Sequence, residues 1–330
     1  MPLTSHRIAQ LIDDISIASL RSWLKAQGFE HSANTREQMV QRLLKLIKNK
    51  ELSEDEFETA ISNIEEASSK RIFLMEMPDD RTPLESAEFD KRLQASGKKL
   101  SDRVVRAPRL PSKPTLVYIS RSNDQIRAKW AETQVRLEAD YASREIIEKK
   151  VTRLVVMLAD LATGIIQLRY DKPEIGIPSH ENRDDYFGYY RQSSGEILGM
   201  DCSRFEIREA LRSLVETEPR IVRIRVNEHR SKTDKSVRFV ARKAQSDVRD
   251  DPEWKAAFEA GGQSRAYDDQ AVYWLPDASN GKLNREVFSD IDAVTSMIRV
   301  DADCHEDEIQ YAVSKVREHQ IRASASASQT

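Results

Sequence analysis

The hydrophobic period changes along this 330-residue chain, and that change constrains the fold more than any other feature. In the first part, apolar residues recur every three or four positions, as in amphipathic helices. From Thr115 onward, stretches such as TLVYIS and VTRLVVMLAD are typical of strands. Strands and helices occur there in mixed order, with hairpins rather than strand–helix–strand units, so we predict an α+β fold.

Residues 1–76 are predicted to form a small helical domain of four helices. Side chains with the spacing of helix caps precede three of the apolar repeats. These candidate caps are Ser16, Asn34 or Thr35, and the pair Ser53 and Glu56. The apolar segment RIFLMEM at 71–77 is predicted to be a buried strand that closes this unit.

Residues 77–114 collect prolines and few large apolar side chains, which predicts a linker with one short helix near Ser86 to Gln94. Between residues 91 and 113, eight basic side chains accompany a single acid, Asp102. The linker is therefore strongly basic.

Residues 115–322 are predicted to form an α+β domain of antiparallel hairpins and packed helices, followed by a disordered tail at 323–330. One hairpin turns at 162–164 and a second spans 221–242. The helices of this domain are predicted at Phe205 to Val215 behind a Ser203/Glu206 capping box, at Pro252 to Gly261, and at Glu306 to His319.

The chain carries 52 basic and 55 acidic residues, so any polyanion must be met by a local patch rather than by bulk charge. Only Cys202 and Cys304 are present, which fits a reducing compartment. The sequence has no apolar stretch long enough to span a membrane and no secretory leader pattern. We therefore expect a cytoplasmic protein without membrane contact, located in the nucleoid or nucleus if it is bound to DNA.

The third predicted helix has an apolar side and, opposite to it, a basic side formed by Arg42, Lys45 and Lys48. Residues 1–50 contain eight basic and four acidic side chains, whereas the fourth helix is acidic. The helical domain is therefore electrically two-sided, and its positive side has the character of a phosphate-binding surface. A solvated helix face is the alternative interpretation.

Positions 17–44, IASLRSWLKAQGFEHSANTREQMVQRLL, resemble a SAP-type helix–extended–helix module. The shared features are a leucine-containing first helix, a glycine-containing connection, a small polar turn, a basic residue and an apolar pair with Arg-Leu. The resemblance implies DNA binding, mostly to the backbone, through Thr35, Arg36, Arg42 and Lys45. It also implies that amides of the turn donate to phosphate.

In RIVRIRVNEHRSKTDKSVRFVARK, apolar residues alternate with arginines on both strands of the predicted hairpin. Val222, Ile224, Val226, Val237, Phe239 and Ala241 are predicted to face the core. The basic face makes the ribbon a second candidate nucleic-acid contact. An edge hairpin protected from aggregation by its charges is the alternative.

The stretch NRDDYFGYYRQSSG at 182–195 carries four aromatic residues. If exposed, they would stack on unpaired bases or anchor a protein. A buried insertion between strands is the preferred interpretation. The candidate stacking residues are Tyr186, Phe187, Tyr189 and Tyr190.

Motifs for enzymatic chemistry are lacking in the sequence. The ten glycines form neither phosphate-binding loop pattern, the six histidines have no metal-ligand spacing, and no GxSxG is present. DADCHEDE at 301–308 is interpreted as the start of a helix rather than a metal site. Glu148 with Lys150 after Asp140 only superficially resembles a metal-dependent nuclease. No cofactor, metal or catalytic residue is predicted.

The leading hypothesis is a non-enzymatic intracellular DNA-binding protein. Its alternatives are a protein–protein adaptor subunit of a multi-component complex, with the fourth helix, the aromatic cluster and the last helix as docking faces, or a metal-dependent nuclease. The predicted DNA contacts are Thr35, Arg36, Arg42, Lys45, Lys48, Lys98, Lys99, Arg103, Arg106, Arg223, Arg225, Arg230, Lys232, Arg238 and Arg242.

Overall fold

The structure is a computed structural model of the chain. It describes residues 3–13, 15–67, 70–101, 110–140, 144–171, 180–217, 221–230, 236–243, 245–261, 266–300 and 304–327. Within these ranges, the side chains at 136–140, 180–187, 217, 229, 230, 236, 260, 261, 266, 267 and 324–327 are outside the description.

The chain begins with four helices, as the apolar spacing predicts. They are α1 (Ser5–Leu11), α2 (Ile17–Ala26), α3 (Arg36–Lys48) and α4 (Glu54–Ala67). Ser16 caps α2 and Thr35 caps α3, while Ser53 and Glu56 form the predicted box at the start of α4. Leucine, isoleucine and methionine side chains from all four helices form one buried cluster.

The strands within the described residues form one antiparallel sheet, so the α+β class is confirmed. They are β1 (Lys70–Glu76), β2 (Thr115–Arg121), β3 (Gln125–Asp140), β4 (Glu145–Asp160), β5 (Ile165–Asp171), β6 (Ser203–Arg204), β7 (Val222–Arg230), β8 (Ser236–Val240), β9 (Ala266–Trp274), β10 (Val287–Asp292) and β11 (Met297–Val300). Their order is β2-β3-β4-β5-β1-β11-β10-β9-β7-β8, with β6 beside β1.

Both predicted hairpins are present. β4 and β5 turn at Gly164, whose φ of 77° belongs to the left-handed region that favours glycine. β7 and β8 form the second hairpin.

β1 is a buried strand, as predicted, but its partners are the strands β5 and β11 of the large sheet. It therefore does not close the helical unit. Phe73 and Met75 point to one core, while Ile72 and Leu74 point to another. A continuous apolar run suits this central place because both faces of the strand are covered.

The remaining helices pack on the two faces of the sheet. They are α5 (Ser86–Ala95), α6 (His180–Leu198), α7 (Arg208–Thr217), α8 (Pro252–Gly261) and α9 (Glu306–Ala327). α5 and α6 share an apolar core with β1–β5, whereas α7, α8 and α9 share another with β1, β7 and β9–β11. α5 is the short helix predicted in the basic segment, and its Phe89 and Leu93 are buried against the sheet.

Two predicted boundaries are corrected by the structure. Ser203 donates to Glu76 and pairs with β1, so it does not cap a helix, and α7 begins only at Arg208. α9 continues to Ala327, so residues 323–327 of the predicted disordered tail are helical. Alanine is the strongest helix former, which explains how the ASASA stretch extends the helix.

Candidate nucleic-acid interface

The segment that resembles a helix–extended–helix module contains α2, the connecting residues 27–35 and α3. Ala33, which stands where such modules usually have glycine, is buried and does not adopt a positive φ. Its amide donates to the carbonyl of His31 at 2.9 Å. The connection is therefore formed without the conformational freedom of glycine at this position.

The turn before α3 satisfies its own amides. The Gln38 amide donates to the Thr35 hydroxyl at 3.3 Å, and the Asn34 amide donates to the Gln38 side chain at 2.8 Å. The Thr35 amide also donates to that side chain, at 3.4 Å. Amides used in this way are not available for a phosphate, so Thr35 acts as a helix cap.

Arg36 holds α3 to the preceding chain. Its guanidinium donates to the carbonyl of Ile12 and, at 3.1 Å, to that of Ile15. These carbonyls follow α1, where helix ends leave acceptors without intrahelical donors. Arg36 therefore has a structural role in the folded chain.

The basic side of α3 is divided between one paired arginine and two exposed lysines. Arg42 lies 2.8 Å from the carboxylate of Glu30. Hydrogen bonds from Ser32 and then Arg42 lower the pKa of Glu30. Lys45 and Lys48 are exposed, and neither makes an ion pair within the described part of the chain. The lysines are thus the open cations of this helix.

The arginines of β7 are held by the fold. Arg223 forms a two-pronged pair with Glu286, one contact measuring 2.9 Å, and lies 4.8 Å above the ring of Tyr273. The hydrogen bond from Arg223 lowers the pKa of Glu286. Arg225 donates to the carbonyl of Lys243. Neither guanidinium is left to project from the ribbon.

The β8 side of the hairpin is more open. Arg238 is 59% exposed at 3.9 Å from Glu228, and Arg242 is exposed. Val237 is exposed too, so its predicted place on the core face is wrong, because β8 is an edge strand covered on neither side at that position. The side chain of Arg230 and all of Lys232 lie outside the described residues.

The basic segment near α5 contacts the main body of the protein. Arg92 donates to the carbonyls of Pro83 and Ile197, at 2.8 and 3.0 Å, which ties α5 to α6. Lys98 is 4.0 Å from Glu196, and Lys99 is exposed. The predicted contacts Arg103 and Arg106 lie outside the described residues.

The predicted stacking residues belong to α6. Tyr190 is buried, donates to Glu132 at 2.7 Å and meets the edge of Trp130. Tyr189 is 49% exposed. Tyr186 and Phe187 also lie in α6, and their side chains are outside the description. Of the two predicted stacking residues whose side chains are described, Tyr189 is exposed enough to stack on a base and Tyr190 is not.

A buried polar network, which the sequence did not reveal, joins α4 to the sheet. Lys129 of β3 is fully buried and lies 3.1 Å from Glu66, whose carboxylate also contacts Arg127 at 3.0 Å. Tyr118 donates to Glu66 at 3.0 Å. Burial, together with Glu66, raises the pKa of this tyrosine. The alternation of Arg127 and Lys129 with apolar residues in β3 was the available signal.

A second ion pair, between a buried arginine and a half-buried glutamate, continues this network towards α9. Arg169 of β5 is fully buried and binds both carboxylate oxygens of Glu306, at 2.5 and 2.9 Å. Burial alone would raise the pKa of Glu306, but the charge and hydrogen bond of Arg169, the hydrogen bond of Gln310 and the charge of Arg127 together lower it. Glu306 of the DADCHEDE stretch is therefore an anchor for α9.

A carboxylate group on the other sheet face was also missed. Asp269 of β9 pairs in register with Asp292 of β10, and Asp290 lies nearby, 2.8 Å from Arg299. Burial, a hydrogen bond with Asp290 and the charges of Asp290 and Asp292 raise the pKa of Asp269 to about 7. These positions were separated in sequence, so only strand pairing brings them together.

Among the described residues, the geometry gives no support to a metal-dependent site, and the side chain of Asp140 lies outside the description. Glu148 and Lys150 are exposed on β4. No cluster of three or more histidine, cysteine or acidic side chains suited to a metal occurs among the described residues. Within the same residues, no helix combines the length and apolarity needed to cross a bilayer.

No protein-family model matches the chain, and no curated protein matches it either.

Proposed function

We propose that the chain is a non-enzymatic DNA-binding protein that holds the phosphate backbone through the outer surface of α3. The observation that carries this proposal is the exposure of Lys45 and Lys48 on a helix–extended–helix unit. The following helix, α4, turns the carboxylate of Glu66 inward, onto Lys129. Its acidic side is thereby partly neutralised, while the cations of α3 stay open.

A contact of this kind sets the strength and the salt dependence of binding. Each phosphate neutralised by a lysine releases condensed counterions, so two lysines give a slope of roughly −2 in log K against log salt. Backbone contacts carry no sequence information by themselves. We therefore expect weak binding with little base preference, and affinity should fall as salt is added.

The test is fluorescence anisotropy of a labelled duplex at low salt with the full chain. Lys45→Glu/Lys48→Glu should weaken binding at least tenfold. Lys255→Glu/Lys282→Glu changes the net charge equally at exposed lysines elsewhere and should leave affinity within about twofold, because non-local charge is screened beyond roughly 10 Å. Equal losses in both variants, or binding unchanged at about 300 mM salt, would show that the α3 surface is not the contact.

The adaptor alternative proposed three docking faces, namely the fourth helix, the aromatic cluster and the last helix. Part of each is buried in the structure. In α9, Ile309, Val313 and Val316 are buried in the core. Tyr190 and the Glu66 end of α4 are buried as well. An adaptor predicts no anisotropy change with DNA at low salt and a stoichiometric protein complex instead, so the same measurement separates the two functions.

The nuclease alternative predicts that DNA is cut in the presence of Mg²⁺ or Mn²⁺ and that cutting is lost in Glu148→Ala. Incubation of the duplex with the full chain and either metal tests it. Intact DNA with both metals would remove this alternative.

A further inference from the structure

The strand β8 ends the sheet, and its outer edge faces no further strand. Its residues Ser236–Val240 pair with β7 and with no other strand among the described residues. At the opposite end of the sheet, β2 is partly covered, because Leu100 pairs with Ile119 and the amide of Ser101 donates to the Ile119 carbonyl at 2.7 Å. Of the two ends of the sheet, β8 therefore offers the freer edge.

The backbone of β8 presents hydrogen-bonding groups to this outer edge. Across the hairpin, the amide of Ala241 donates to the carbonyl of Arg225 at 2.9 Å. Hydrogen-bonded pairs alternate with non-hydrogen-bonded pairs along an antiparallel ladder, so the backbone of Phe239, opposite Asn227, also faces β7. The amides and carbonyls of Arg238 and Val240 then point away from β7. These two residues can therefore pair with a further strand.

Two valines of β8 are exposed. Val237 is 43% exposed and Val240 is 55% exposed, and they lie on opposite faces of the strand. Phe239 is half-buried and packs against the core that β7 and β9–β11 share with α7, α8 and α9. The strand is thus held in place on one face, while a strand added beside it would cover part of both valines.

The charges around this edge are mainly positive. Arg238 is 59% exposed and lies 3.9 Å from Glu228, and an exposed ion pair of this kind contributes little. Arg242 and Lys243 follow the strand, are exposed, and form no ion pair within the described part of the chain. A partner strand must therefore bring negative side chains.

We propose that the outer edge of β8 is a docking site for an extended acidic segment of another protein, which adds to the sheet as a further strand. Main-chain hydrogen bonds to Arg238 and Val240 would hold this segment, and its carboxylates opposite the basic side chains would provide specificity. A second copy of this chain fits less well, because β8 beside β8 sets arginine near arginine. A nucleic acid also fits less well, since the outward carbonyls repel phosphates.

The binding is expected to be weak because β8 is short. A single added strand buries less than the roughly 800 Å² per partner of a standard interface. We expect a dissociation constant of the order of tens of micromolar. This inference does not depend on the proposed DNA contact at α3.

The first test is fluorescence anisotropy of a labelled synthetic peptide of about six residues, in which glutamate and valine alternate. The full chain is titrated into it, and the same peptide with lysine in place of glutamate is the control. The acidic peptide should bind and the basic peptide should not. No anisotropy change up to about 500 µM protein, or equal affinity for both peptides, overturns the proposal.

Methylation of the peptide amides tests strand addition with an unaltered protein. Only every second amide of a paired strand faces its neighbour. N-methyl groups at one set of alternate positions should therefore abolish binding, whereas those at the other set should weaken it much less. Equal effects of the two sets would show that the peptide is not paired as a strand, which overturns the proposal.

Two variants of β8 locate the site on the protein. Arg238→Glu should weaken peptide binding about tenfold. Lys282→Glu makes the same change of charge sign at an exposed lysine between β9 and β10, and it should leave affinity within about twofold.

Val240→Pro removes an outward amide, at a kind of position where edge strands accept proline, and should also weaken binding about tenfold. Circular dichroism shows whether each variant is folded. Wild-type affinity in a folded Arg238→Glu or Val240→Pro chain overturns the proposal, and the methylated peptides give the decision if Val240→Pro does not fold.

A competition experiment separates an acidic peptide from a nucleic acid at this edge. Unlabelled duplex DNA is added to the peptide complex of the Lys45→Glu/Lys48→Glu variant, in which the proposed DNA contact of α3 is reversed in charge. The peptide should remain bound. Its complete displacement by DNA would show that the cations of the β8 edge bind phosphate instead, and the proposal would be overturned.

Discussion

The outer surface of α3 and the C-terminal end of α4 belong to the same group of four helices, but their charged side chains differ in exposure. Lys45 and Lys48 remain exposed, whereas Glu66 is 2% exposed and contacts Lys129, Arg127 and Tyr118. Glu66, at the C-terminal end of α4, therefore binds the four helices to β2 and β3 of the sheet. A charged side chain therefore indicates a binding surface only when no element distant in sequence supplies its counter-charge.

The largest expected effect concerns the attachment. Lys129→Met leaves the buried Glu66 with less compensation, so we expect the free energy of unfolding to fall by about 3–5 kcal/mol. Urea denaturation measures it. The matched change Lys45→Met on the open surface should stay within about 0.5 kcal/mol. If both variants lost a comparable free energy of unfolding, the proposed difference between the attachment at Glu66 and the exposed surface of α3 would be wrong.

The arginine of β7 sharpens the same contrast on a second element. Arg223→Gln removes a two-pronged pair with Glu286, which should lower the free energy of unfolding by about 1–2 kcal/mol. DNA affinity should change less than about twofold, because that guanidinium is already neutralised. A tenfold loss of affinity at wild-type stability would move the proposed interface to the hairpin.

The pH dependence of stability probes a charge that the fold holds unfavourably. The pKa of Asp269 is raised to about 7 in the folded chain, from an ordinary value of 3.8. The folded state then binds the proton more tightly, so stability is highest below pH 4 from this group alone and declines as the pH rises to about 7.

Asp269→Asn removes this decline. At pH 8 it should stabilise the protein by about 1 kcal/mol, a modest figure because solvent screens a half-buried carboxyl. Thermal unfolding at pH 5 and pH 8 measures the difference between variant and wild type. A variant whose stability follows the wild-type pH profile would show that Asp269 is not the titrating group.

The smallest effect separates capping from phosphate binding at Thr35. Thr35→Ala removes the hydroxyl that accepts from Gln38, so we expect a loss of about 0.5–1 kcal/mol in unfolding free energy. Thr35→Ser keeps the cap and serves as the control. DNA affinity should be unchanged in both, and a selective loss of affinity in the alanine variant would restore Thr35 as a contact.

Local signals predicted much of the secondary structure. The caps at Ser16, Thr35 and Ser53 and the Gly164 turn are all present, and the strand predicted at 71–77 is observed at Lys70–Glu76. Each depends on residues within a few positions of one another, which a single sequence displays directly. The helix predicted to start at Phe205 starts at Arg208, because Ser203 pairs with β1, which is far away in sequence.

The candidate interface was less predictable. The exposure of Lys45 and Lys48 agrees with the helical wheel of α3, but Arg36, Arg42 and Arg223 turned out to be bound by partners 24, 12 and 63 positions away. No local pattern contains that information.

The sequence by itself determined the helical period of the first part, the strand period of the hairpins after Thr115, the caps of the first helices and the local excess of positive charge. Only the tertiary structure decided which charged side chains remain exposed. Ion pairs depend on the distances between helices and strands, and the order of the strands in the sheet sets those distances. The tertiary structure also decided that the β3–β4 pairing extends beyond the ends of β2 and β5. The sequence of one strand does not contain the length of the strands that pair with it.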